Sequence, residues 1–135
     1  MRRRRPARRA KITGMRNDPR RGRGLEGEEM AAAHLRAHGL TILARNPRCR
    51  FGELDLVCRD RDVLVIVEVR RRARADFGGA LASITWRKQR RIVRTTEFLM
   101  LRHAGWRGSK VRFDVIAIDD AAGRLQWVVD AFRPT

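Results

Sequence analysis

An α/β fold, built as a mixed β-sheet with flanking helices, is predicted by three features of the 135-residue chain. Val63 to Val69 is a β-branched and aliphatic run broken by Glu68, the pattern of a strand buried on both faces. From about Ser83 or Thr85 to His103 the apolar positions fall on one helical side, with Ile84, Ile92, Val93, Leu99 and Met100 inward and Arg87, Lys88, Arg90, Arg91 and Arg94 outward. Val111 to Ile118 and Leu125 to Val129 read as two closing strands around a turn at Asp119 to Gly123. A hydrophobic content of 43% supplies one core for a chain of this length.

The other elements follow in order. Residues 1–24 carry ten Arg and Lys11 against the single Asp18, and they hold too few large apolar side chains to offset ordering entropy, so a mobile basic tail is expected there. A helix is predicted from about Glu26 to His38, with Glu26, Glu28 and Glu29 favoured by its N-terminal dipole and Gly39 as its stop. Leu40 to Arg45 is a strand that Asn46-Pro47 breaks, a hairpin spans residues 53–70, and residues 71–82 are a loop. The order is α, β, β-hairpin, α, β, β.

Charge narrows the function. Lys plus Arg number 32 against 15 Asp plus Glu, for a net +17, of which +7 falls on residues 25–135. Such a chain suits a polyanion, with nucleic acid as the leading partner. Nearly all the cations are guanidiniums, which grip phosphate in bidentate fashion. No apolar run reaches membrane-spanning length and no secretory signal is visible, so a cytoplasmic protein without a membrane partner is expected. Cys49 and Cys58 lack metal or disulfide spacing and read as free thiols. His34 and His38, one turn apart, lack a third zinc ligand at sensible spacing and read as surface histidines.

Asp55 and Glu68 carry the sharpest signal, because acids are rare in strands this apolar. If Arg61-Asp62 form a two-residue loop, Asp55 lies across from Glu68, with Cβ atoms about 4.5–5.5 Å apart. A three-residue loop would put the acids on opposite faces, and a four-residue loop would leave them diagonal on one face. Glu68 and Arg70 share a face in any register. A divalent cation between the acids would satisfy them, and so would a structural ion pair with Arg70 or Arg72. Lys88 and Gln89, beside Trp86, could reach either DNA or the acids, or lie on an ordinary solvated face. Trp106 is the aromatic expected to be exposed, Trp127 and Phe132 are expected to pack, and Asp114 is read as structural.

Several spaced segments together resemble the YraN-like uncharacterised protein family over about residues 24–132. They are Gly24-Leu25-Glu26-Gly27-Glu28, Ala31-Ala32, Leu35, Gly39, Arg45-Asn46, Gly52-Glu53-Leu54-Asp55-Leu56-Val57, Val67-Glu68-Val69-Arg70-Arg71-Arg72, Lys88 and Arg112-Phe113-Asp114-Val115. The resemblance implies a restriction-endonuclease-like αβββαβ-type core, similar in layout to archaeal Holliday-junction resolvases, over residues 24–135, behind a disordered Arg-rich tail of residues 1–23. It further implies that Asp55 and Glu68 bind Mg²⁺ or Mn²⁺, that Glu28 is a further acid near the site, and that position 70 is where an E-x-K motif has its lysine. Arg70 departs from that motif: it cannot deprotonate to act as a base, although it can orient a phosphate or stabilise charge. Arg72, Arg87, Lys88, Gln89 and Arg91 complete the expected nucleic-acid contacts. The expected function is a nucleic-acid-binding protein on a nuclease-like scaffold, either a metal-dependent endonuclease for branched or damaged DNA or a non-catalytic binding or assembly protein. A homodimer is a further expectation, since resolvase-like folds act as dimers on two-fold junctions.

Overall fold

The computed structural model describes residues 19–72 and 77–134. Of the mobile tail expected over residues 1–24, residues 1–18 lie outside those described, while residues 19–24 are helical, continuing the first helix.

Helix α1 spans Pro19–Ala37. It starts seven residues earlier than the acids Glu26, Glu28 and Glu29 suggest, so they lie mid-helix and no acid occupies its first turn. The dipole therefore does not account for Glu28. At its C-terminus Leu40 N–H bonds Leu35 O and Gly39 N–H bonds Arg36 O, both at 3.0 Å, with Gly39 at φ 92°. This is the Schellman arrangement, in which glycine takes the left-handed position and the flanking apolar pair, here the buried Leu35 and Leu40, closes the end.

The strands are β1 (Thr41–Arg45), β2 (Arg48–Cys49), β3 (Gly52–Glu53), β4 (Leu56–Asp60), β5 (Val63–Arg72), β6 (Lys110–Asp119) and β7 (Arg124–Phe132). Helices α2 (Phe77–Ala82) and α3 (Trp86–Arg102) lie between β5 and β6. Five strands form one sheet in the order β1-β4-β5-β6-β7, in which β5 and β6 are parallel and every other pair is antiparallel. Parallel neighbours need a crossover, and the segment containing α2 and α3 supplies it. The expected mixed sheet with flanking helices is thus present, with the α-β-β-β-α-β order carried by α1, β1, β4, β5, α3 and β6. Where a loop over residues 71–82 was expected, β5 runs on to Arg72 and α2 begins at Phe77. The small β2–β3 ladder is a further element the sequence reading does not contain.

Each face of the sheet has its own core, as strand alternation requires. On one face Leu56, Cys58, Val65, Val67, Ile116 and Ile118 pack against Ala31, Ala32 and Leu35 of α1. On the other, Val57, Leu64, Ile66, Phe113 and Val115 meet Ile92 and Leu99 of α3. Odd positions of β5 therefore look to α1 and even ones to α3. Thr85 caps α3, its hydroxyl accepting from Lys88 N–H at 3.1 Å.

Trp106, expected to be exposed, is only 8% exposed and stacks on His103; the exposed tryptophan is Trp86, at 61%. Trp127 and Phe132 pack as expected, Phe132 stacking on Phe113 at 5.1 Å between centroids. Cys49 and Cys58 are free thiols, and burial, reinforced by the Asp114 charge, pushes Cys58 up to about 12.

Candidate functional site

The hairpin register brings the acids together. Asp60 pairs with Val63 across a two-residue Arg61-Asp62 turn, and Leu56 pairs with Val67. Arg61 takes φ 60°, which an arginine rarely adopts and which this tight turn imposes. One residue further along, Asp55 and Glu68 face each other on the α3 side of the sheet. Asp55 has left the ladder, and its Oδ2 accepts the Val69 N–H at 2.8 Å, while its carbonyl accepts Asn46 N–H at 2.9 Å.

Glu68 is 4% exposed. Burial, and then the Asp55 charge, push its carboxyl up to about 7, against the lowering pull of Lys88 and Arg70. Asp55 is raised by burial too, opposed by the Val69 hydrogen bond and the same two cations. Lys88 of α3 turns inward, not outward as its helical position suggests, and its Nζ lies 3.4 Å from Glu68 Oε2. Among the described residues, the buried Glu68 Oε1 and Arg70 Nε at this sheet end have no hydrogen-bond partner, as do Thr95 Oγ1 and Asp119 Oδ2 elsewhere. A buried unsatisfied oxygen costs about 1–3 kcal/mol or more. Beside a second carboxylate, such an oxygen suits a cation or its water.

Glu28 approaches from the opposite layer, at the end of the sheet. Asn46, in the left-handed region at φ 51°, donates from Nδ2 to Glu28 Oε2 at 3.1 Å. Burial raises the Glu28 carboxyl, Asn46 lowers it, and the Asp55 and Glu53 charges raise it further. Glu28 thus borders the pair without joining it: among the described residues, no three His, Cys, Asp or Glu side chains gather as a metal-binding group. Asn46 is a positioning residue that sequence reasoning passed over as a strand breaker. An Asn that ends a strand beside a required turn was the available signal.

The expected phosphate contacts divide by location. Arg72 extends the Glu68–Arg70 face and is exposed. Arg87, Gln89 and Arg91 line a groove of about 900 Å³ along α3. Gln89 is tethered there, donating to Ile84 O at 3.1 Å. Helix α3 packs against β3 at Gly52, at φ 152°, where a Cβ would lie 3.0 Å from Thr95 Oγ1 and 3.4 Å from Arg91 Cγ. Only glycine suits both that backbone and that approach.

Asp114 is held apart from this cluster by strand alternation. It pairs with Val67 in the ladder and so points to the α1 face. There it accepts from Arg112 Nε and Nη2, Trp127 Nε1 and Asp130 N–H, all at 2.9 Å. His34 and His38 lie on the same face, 4.4 Å apart and edge-on to Trp127, and burial followed by the His38 charge lowers His34.

Residues 27–118, which contain every residue of the acid cluster, match the model of the uncharacterised protein family UPF0102. A UPF0102 protein of Halorhodospira halophila is 50% identical over 118 residues, which cover 87% of this chain and 92% of that protein. One from Pseudomonas putida is 48% identical over 113 residues, 82% and 92% of the two chains. One from Pseudomonas aeruginosa is 45% identical over 116 residues, 83% and 93%. With a family match over most of the folded domain and relatives aligned along nearly their full length, this chain belongs to the UPF0102 family.

Proposed function

We propose that this protein binds DNA and hydrolyses its phosphodiester bonds with a divalent cation held by Asp55 and Glu68. The observation that carries the reading is the buried, like-charged carboxylate pair with one oxygen unpartnered and a lysine at its side. Two carboxylates suit Mg²⁺ or Mn²⁺, since Mg²⁺ binds through one or two carboxylates and keeps several waters. Such an ion would supply a water of lowered pKa and stabilise charge on the phosphoryl oxygens.

The chain's own residues divide the remaining work. Lys88 brings to Glu68 the ammonium that Arg70 cannot provide within the strand, so the lysine of the E-x-K pattern comes from α3 instead. Arg70, fixed in charge, is suited to orient the scissile phosphate. Asn46 and Glu28 hold the end of the sheet against α1. Arg72 and the arginines of α3 attract the backbone on either side.

A second reading, a binding protein without cleavage, is favoured by the same ion pair, because Lys88 already neutralises part of the buried Glu68 charge. Incubating the purified full chain with branched and plain DNA in Mg²⁺ or Mn²⁺ separates the two. Metal-dependent nicking by wild type, reduced at least a hundredfold in Asp55→Asn and Glu68→Gln, is the expected result. Binding without cutting of any substrate would favour the second reading.

A further inference from the structure

The groove along α3 holds features that phosphate attraction alone does not require. Trp86, at the first turn of the helix, is 61% exposed, the second most exposed large hydrophobic side chain among the described residues. Its ring is held from one side by Arg90, whose guanidinium carbon lies 4.8 Å from the ring centroid. Further along, Arg94 sits 4.4 Å over Phe51, which meets Phe98 edge-on at 5.4 Å. Arginines and aromatic planes thus alternate along a groove of about 900 Å³, near the upper end of the about 300–1,000 Å³ range of ligand pockets. Duplex DNA offers its phosphates outward but keeps its bases stacked inside. An exposed indole among guanidiniums is matched instead by a strand whose bases are free to stack.

The acid cluster lies outside the groove lining but shares α3 with it. Gln89 lines the groove, and the next residue back, Lys88, touches Glu68. Phe51 lines it from the β2–β3 turn, four residues before Asp55.

We infer that this groove binds an unpaired DNA strand, with a base stacked on Trp86 and flanking phosphates on Arg87, Arg90 and Arg91. The inference rests on the reading of the chain as a DNA-binding protein but not on cleavage. The substrate class it defines is DNA with a single-stranded segment, such as a flap, a gap or an open branch.

Fluorescence anisotropy of a labelled 20-nucleotide oligo(dT), with the full chain in EDTA, tests it. Trp86→Ala is expected to weaken binding about tenfold, within the range of base–aromatic stacking. Trp86→Phe restores most of it, and affinity for a duplex of equal length changes less than twofold. Oligo(dT) is also expected to quench part of the intrinsic emission of wild type but not of Trp86→Phe. Unchanged oligo(dT) affinity in Trp86→Ala, or an equal loss on duplex, overturns the stacking site while leaving DNA binding intact. A Trp86-dependent preference for oligo(rU) over oligo(dT) overturns DNA as the occupant. If wild type binds neither oligo(dT) nor duplex, this inference and the proposed function fall together.

Discussion

Two acidic centres lie on opposite faces of the same sheet, and they are built on opposite terms. Asp114 is fully buried, and four hydrogen bonds from three residues occupy both of its oxygens. Glu68, nearly as buried, has a lysine 3.4 Å from one oxygen, nothing on the other, and Asp55 pressing on it. Buried polar groups are normally paired, so the contrast separates a carboxylate whose oxygens are both satisfied from one that leaves an oxygen unpaired. Asp114 also joins the β6–β7 irregularity, where Asp130 at φ 57° gives its N–H to the carboxylate.

The contrast is broken or sharpened most by removing each acid in turn. Asp114→Ala takes the acceptor from the half-buried Arg112 and Trp127, leaving Arg112 only Asp60, and is expected to cost about 3 kcal/mol, read as a fall in the denaturant midpoint. Glu68→Gln should go the other way, stabilising the metal-free protein at pH 8 by about 1–3 kcal/mol, because it removes a charge that burial disfavours. Destabilisation by both variants alike would make Glu68 a structural ion-pair partner and end the distinction.

A smaller effect appears in pH. The Glu68 carboxyl sits near 7 in the folded chain against 4.5 ordinarily, so the folded state holds its proton longer. Its contribution to stability is therefore full below about pH 4.5 and is lost as pH rises through about 7. Between pH 5 and pH 8, metal-free wild type should lose stability relative to Glu68→Gln by about 1–3 kcal/mol, and saturating Mg²⁺ should return part of that at pH 8. Parallel stability profiles for the two proteins would show that the pair does not titrate in this window.

The smallest change concerns Arg70. Replacing it with Lys keeps the charge, and with Lys88 already beside Glu68 a metal-dependent nicking rate within about threefold of wild type is expected. Arg70→Ala should lower DNA affinity by about 1 kcal/mol. Loss of all cutting in Arg70→Lys would instead give the planar guanidinium an orienting role that ammonium cannot fill.

Much of this was legible in the sequence, for identifiable reasons. Strand alternation narrowed Asp55 and Glu68 to three registers, and the chain adopts the one with the two-residue turn, which sets them across from each other. The partner lysine was only half legible: the sequence left Lys88 free to reach either DNA or the acids, and the packing of α3 over β5 turns it to Glu68. Glu28 was misread for a similar reason: the early acids looked like a helix start, while the helix begins at Pro19. Trp106 was misread because a tryptophan after a helix stop looks peripheral until the loop after α3 folds back on the core.

The Arg61-Asp62 turn has a bearing on which changes the protein can tolerate. Loop tips are where chains ordinarily accept added residues without harm. This one lies five ladder pairs from the acids, about 20 Å away at the rise of a strand, yet it fixes their alignment. A single extra residue there would leave one acid facing α1 and the other α3 unless a bulge absorbed it. Insertions elsewhere on the surface, such as at Gly123, carry no such penalty. The tip of the hairpin is as much a determinant of the acid pair as the residues beside it, and a survey of insertions along the chain should find it among the least permissive of the exposed turns.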